Sequence, residues 1–142
     1  MESPHDHLAS IVQPTDLHRL NDKELRELAD EVRAAILRHV SQTGGHLSSN
    51  LGTVELTVAM YAAYSVPPDK VVWDTGHQAY PHKLLTGRLH RFDSLRKHKG
   101  LRGFLSRDEH PLDASARDTP GRPSPPPWAS RRRETSSARA RR

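Results

Sequence analysis

Residues 70–80 read Lys70-Val71-Val72-Trp73-Asp74-Thr75-Gly76-His77-Gln78-Ala79-Tyr80, a short apolar burst closed by Asp, Thr and Gly. A run of that length, ended by a glycine turn, suits a strand buried in a parallel sheet. Ligands of open α/β sheets gather beyond the carboxyl ends of strands, which is where Gly76 and His77 fall. Upstream, Asn21 is placed to cap a helix, with Glu24 at the reciprocal capping-box position and Leu20 and Leu25 set for a hydrophobic staple. Leu25, Leu28, Ala29, Val32, Ala35, Ile36 and Val40 recur at helical spacing, and Arg26, Glu27, Asp30, Glu31, Arg33 and Arg38 take the other faces. Gly44 and Gly45 stop this helix. Ser48, Ser49 and Asn50 offer caps for a second helix to about Tyr64, striped by Leu51, Val54, Val58, Ala59 and Ala62 and closed by Pro67 and Pro68. Residues 1–20, with Pro4 and Pro14, read as a largely extended lead-in, and further helical stretches are expected around 82–85 and 91–97. The order helix, helix, strand, helix predicts an α/β domain over residues 1–114, begun but incomplete.

Composition changes near Ala114. Residues 115–142 hold eight Arg, five Pro, five Ser and four Ala, and no Leu, Ile, Val, Met or Phe. Such a stretch cannot bury enough apolar surface to offset its ordering entropy, so a disordered basic tail is expected. The tail carries eight basic and two acidic residues, whereas residues 1–114 carry 14 and 15 and all ten His. The net charge of +5 therefore belongs to the tail. With no cysteine there is no disulfide framework, thiol nucleophile or thiolate ligand. No apolar run has transmembrane length and the acidic start lacks a signal-peptide layout, so a cytoplasmic protein without membrane association is the expectation.

Two strings carry a resemblance. One is SQTGGHLSSNLG at residues 41–52; the other is VWDTGHQAYPHKLLTGR at residues 72–88. Together with Glu55-Leu56-Thr57 and Gly100-Leu101-Arg102-Gly103-Phe104, they resemble the opening of the 1-deoxy-D-xylulose-5-phosphate synthase family over roughly residues 10–114. The resemblance implies a thiamine-diphosphate-binding domain of the transketolase type. It also implies a homodimeric enzyme that condenses pyruvate with glyceraldehyde 3-phosphate and releases carbon dioxide, feeding isoprenoid, thiamine and pyridoxal synthesis. His77 resembles a histidine that binds thiamine diphosphate. His46 resembles a catalytic one that handles protons during carboligation, work suited to an imidazole titrating near neutrality. The family's Mg²⁺ motif, a Gly-Asp-Gly followed at a distance by Asn, does not occur in these 142 residues, and no residue here is assigned to metal.

From the residues alone, His46 lies in a glycine-flanked loop before a helix, where free backbone N–H groups suit an anion. His82 and Lys83 add donors near His77. Plainer readings stand beside these. A loop histidine is more often a surface or capping residue than a catalyst. His77 and His82 could pass for a metal pair, but Pro81 between them disfavours the regular helix that would align two ligands. His5 and His7 at the terminus read as incidental. Lys83 and Arg88 read as solvated charges unless a phosphate is bound.

After Asp113-Ala114 the family continues Phe-Gly-x-Gly-His, where this chain has Ser115-Ala116-Arg117-Asp118. One extra base after the Ala114 codon regroups a permissible coding string into Phe-Gly-Ala-Gly-His-Ala-Gly-Thr-Ser-Ile-Ser, so a lost base near codon 115 is expected. Two rival readings stand beside this one. In one, the arginine tail and Trp128 bind nucleic acid, in a salt-dependent manner that would vanish with residues 115–142. In the other, the chain is the small subunit of a split transketolase-like enzyme, which would be expected to retain the metal motif. Neither is preferred, and nucleic acid is the less favoured partner.

Overall fold

The computed structural model describes residues 6–74 and 76–114. Their chain begins with α1 (His7–Ser10), capped by Asp6, whose carboxylate accepts from the Ala9 amide at 3.1 Å. The amides of His7 and Leu8 donate to the Glu31 carboxylate at 3.2 and 2.7 Å, so the turn is fastened to the next long helix. A 3-10 turn follows over Pro14–Arg19, with Pro14 at its start and Asp16 accepting from the Val12 and Gln13 amides. The extended lead-in expected for residues 1–20 is thus corrected over its described part. Leu8, Ile11, Pro14 and Leu17 are all buried. Their spacing of three turns one residue per tight turn inward, a pattern that two prolines had masked.

The long helix α2 (Asp22–Thr43) matches its reading from sequence. Asn21 accepts from the Lys23 and Glu24 amides at 2.9 and 3.1 Å, and Glu24 returns the bond to the Asn21 amide at 2.8 Å. Leu28, Ala29, Val32, Ala35, Ile36 and Val40 form its buried face, Leu25 is partly buried beside them, and Gly44 ends it at φ 71°. Burying a Leu, Ile or Val side chain contributes about 1.5–3 kcal/mol, so this stripe is the main support of the fold.

The second helix is two elements. α3 (Leu47–Leu51) is a single turn, and α4 (Val54–Ala63) starts after a break at Gly52 and Thr53. The inward face of α4 is Val54, Thr57, Val58 and Tyr61, while Ala59 is exposed and Ala62 half-buried. α4 lies on α2 and on the 3-10 turn, α1 and α3 lie on α2. α5 (Tyr80–Lys83) then packs against α4 and α2 and runs through a wider turn, Leu84–Arg88, into a 3-10 turn, Leu89–Ser94. Gly87 makes that bend possible: its φ is +79°, and a Cβ there would lie 2.5 Å from the Val12 carbonyl oxygen.

The described residues contain helices and turns and no strand, so they do not supply the sheet of the α/β expectation. Residues 70–73 form only a bridge, in which the Trp73 amide donates to the Ala114 carbonyl at 3.1 Å. A strand is stable only with a ladder beside it, and among the described residues this run has one such hydrogen bond. Thr75, at the turn after the run, and the tail at 115–142 lie outside the described residues. No helix among the described residues is long and apolar enough to cross a membrane.

Candidate functional site

His46 and His77 come together. His46 is the N-cap of α3, and its ring stands edge-to-face with that of His77, centroids 5.2 Å apart. Phe104 approaches His46 from the 100–105 loop at 6.2 Å. The loop ahead of His46 needs its glycines: Gly45 sits at φ +145°, and a Cβ there would come within 2.8 Å of the Tyr80 hydroxyl oxygen. His46 is exposed and His77 half-buried. His77 Nδ1 is enclosed with no hydrogen-bond partner, so an outside group meets this ring at Nε2.

Asn50, one helical turn after His46, joins the two loops. Its amide donates to the His46 carbonyl at 2.6 Å and the His77 carbonyl at 2.8 Å, and its oxygen accepts from the Tyr80 amide at 2.9 Å. Thr53 adds a hydroxyl bond to the Gln78 carbonyl at 3.0 Å. Because α3 is only five residues long, the helix dipole expected to favour an anion at His46 is that of one turn. The arrangement therefore offers two imidazoles and an aromatic edge rather than an oxyanion cradle.

His82, Lys83 and Arg88 do not join that site, and the expectation of free donors or solvated charges is corrected. All three are buried. His82 Nε2 donates to Asp113 at 3.0 Å, and the Tyr61 hydroxyl donates to His82 Nδ1. Since Asp113 can only accept, this assigns the proton to Nε2 and leaves neither nitrogen for a metal. Burial pushes the His82 pKa down, and the Asp113 hydrogen bond opposes this without prevailing. Burial also raises the Tyr61 pKa, keeping its hydroxyl proton in place to donate.

Arg88 grips Asp113 with two nitrogens, at 2.9 and 2.7 Å, and reaches Glu109 at 2.8 Å. Lys83 pairs with the same Glu109 oxygen. Burial lowers the Lys83 pKa, with Glu109 acting against it. For Asp113 burial acts upward, but the hydrogen bonds from His82 and Arg88 overcome it and hold the carboxyl well below the usual range. The network pins α5 and the turn after it to residues 106–113. A sequence signal existed in the basic residues at 82, 83 and 88 facing acidic ones at 109 and 113, but it became legible only once the segments were known to meet. Among the described residues no group of three or more His, Asp or Glu is placed to hold a metal ion.

Two concavities among the described residues lie elsewhere. One, about 410 Å³, is lined by α1 and α2 around Leu8, Ala35 and Arg38; the other, about 240 Å³, lies between α2 and α4 around Ala29 and Val58. The first carries Asp6, Glu31 and Arg38, the second Asp22, Arg26 and Glu55, and neither includes a histidine.

Comparison with known proteins bears on the histidine pair. The family model described as 1-deoxy-D-xylulose-5-phosphate synthase matches residues 8–118, a stretch containing His46, Asn50, His77 and the buried network. Proteins of that name are similar to this chain: 56% identical over 109 residues in Paraburkholderia phymatum, 59% over 106 in a Polaromonas species and 58% over 106 in Cupriavidus pinatubonensis. These alignments cover 75–77% of this chain and 17% of each relative. A match spanning both histidine loops and the helices that hold them leaves one conclusion: the chain belongs to the 1-deoxy-D-xylulose-5-phosphate synthase family.

Proposed function

We propose that residues 1–114 supply the His46 and His77 part of the thiamine diphosphate site of a 1-deoxy-D-xylulose-5-phosphate synthase, within a transketolase-type α/β domain. The observation that carries this reading is the 5.2 Å pairing of two rings drawn from separate loops. The cofactor fits the donor set in kind, since His77 offers Nε2 outward, its other nitrogen being enclosed, and His46 is exposed beside it with the Phe104 ring. When bound, thiamine diphosphate supplies the carbanion chemistry that decarboxylates pyruvate and joins the remainder to glyceraldehyde 3-phosphate. His77 would orient the cofactor by a hydrogen bond from Nε2. His46 would give and take the proton of the aldehyde oxygen during the joining step, at hydrogen-bond reach of its ring.

The family's Mg²⁺ grips the diphosphate, and the 142 residues contain no Gly-Asp-Gly to hold it. A polypeptide of these residues alone is therefore inactive in this proposal. The active form is a cytoplasmic homodimer built from the greater length that the relatives possess. Assay of the 142-residue polypeptide with pyruvate, glyceraldehyde 3-phosphate, thiamine diphosphate and Mg²⁺ should give no turnover, and turnover above background overturns that part of the proposal.

A chimera tests the site. Residues 1–114 joined to the remainder of the Polaromonas relative should turn over. In that chimera His46→Ala should lower kcat about 10²-fold or more, the usual yield of a positioned acid–base. His77→Ala should instead raise the thiamine diphosphate concentration needed for half-maximal rate. Unchanged kinetics in both variants would refute the assignment.

A further inference from the structure

We infer that Asn50 is the positioning residue that sets the distance between the His46 and His77 rings. This rests on the reading of those histidines as one site. Its carboxamide is fully buried, and both of its donors and its oxygen are engaged: one donor bond to the His46 carbonyl, one to the His77 carbonyl and one acceptor bond from the Tyr80 amide. A primary amide has two N–H donors beside a carbonyl acceptor, and this site uses both kinds at once. Aspartate would set an acceptor-only carboxylate against two carbonyl oxygens. Glutamine would need room for a further methylene where no surface is exposed, and serine offers a single donor. The bonds fall on the backbone of the histidines themselves, so a shift of the Asn50 side chain moves both rings at their anchor points. Thr53, whose hydroxyl lies 3.0 Å from both the Gln78 and the Asn50 carbonyls, borders the same segments and supplies a control that touches neither histidine carbonyl.

The test is proton NMR on the full 142-residue chain without cofactor, reading the cross-relaxation peak between ring protons of His46 and His77. The wild type and Thr53→Val should show it. Asn50→Asp should lose it while the methyl shifts of Val32 and Ile36 stay in place, marking an intact α2 core. Retention of the peak in Asn50→Asp overturns the inference, as does its absence from the wild type or its equal loss in Thr53→Val. Should Asn50→Asp fail to fold, side-chain amide exchange in the wild type decides instead. Both Nδ2 protons should exchange at least about 100-fold more slowly than those of an exposed asparagine, because each is bonded to a backbone carbonyl and the Asn50 side chain is buried. Exchange at the exposed rate overturns the inference. No cofactor enters these spectra, so failure of the chimera with the ring peak intact would sink the functional reading and leave this one standing.

Discussion

Asp113 receives four hydrogen bonds on two oxygens, from His82, twice from Arg88 and from the Ser106 amide. Neutralising it leaves the Arg88 charge buried without its closest counter-ion. Asp113→Asn should cost about 3–5 kcal/mol of stability, the penalty of breaking a buried pair from one side. Lys83→Met should cost far less, because Glu109 keeps Arg88 and the Arg102 amide and the methionine fills a buried channel with apolar atoms. Urea unfolding of the two variants measures the contrast; equal losses would count against this division of labour. Neither Lys83 nor Arg88 could be assigned to the interior from sequence, where a lone basic residue reads as solvated. The Gly-flanked His46 and His77, by contrast, stood out at once, because their neighbours are bound up with them in continuous strings.

The same residues set the response to acid. Unfolded His82 takes up a proton as pH falls through about 6.5, whereas burial keeps the folded ring neutral to a lower pH. Its contribution is present above about pH 6.5 and is lost as pH drops toward the lowered folded value. Burial shifts the half-buried His110 in the same direction. Asp113 behaves alike at lower pH: its contribution is complete above about pH 4 and lost below, as its depressed carboxyl takes its proton. The urea midpoint should therefore fall between pH 7 and 5 and again below pH 4. His82→Gln should flatten the first fall apart from the share due to His110, and a slope unchanged by that substitution would contradict the assignment.

At the level of elements, legibility followed the range of the interactions involved. α2 was readable down to its cap because its signals are local: Asn21 and Glu24 three apart, apolar residues one turn apart, glycine at the end. Asn21→Ala should lower stability by about 1 kcal/mol, checked by thermal unfolding. The break between α3 and α4 was unreadable because its cause is tertiary. Asn50 and Thr53 spend their side chains on residues 77, 78 and 80, and Thr57 bonds back to the Thr53 carbonyl at 2.6 Å. The strand reading at 70–73 rested on a genuine apolar run, but among the described residues that run has one pairing hydrogen bond, from Trp73 to Ala114.

Over the whole molecule, several large apolar side chains face solvent. Val12 is 72% exposed, Leu56 and Tyr64 each 59%, Val72 54% and Phe104 53%. The relatives are about six times as long as their matched portion, and these side chains are where further chain would find cover. The 142-residue polypeptide should therefore associate as its concentration rises, seen as an earlier elution in size-exclusion chromatography. Leu56→Glu should reduce the effect at little cost to stability, since the residue is outside the core. A single elution position across a hundredfold dilution would argue against it. We further propose that residues 115–142 are read from a shifted frame, which sequencing the DNA around codon 115 would test: codons unable to regroup into the family's Phe-Gly-x-Gly-His would refute it.

The hydrogen bond from the Trp73 amide to the Ala114 carbonyl has a consequence for strand pairing at this run. Side chains of extended backbone alternate faces, so one pinned pair fixes the phase of everything laid down beyond it. A strand laid beside residues 70–73 would have the facing of its side chains set by that bond before its own sequence has any say.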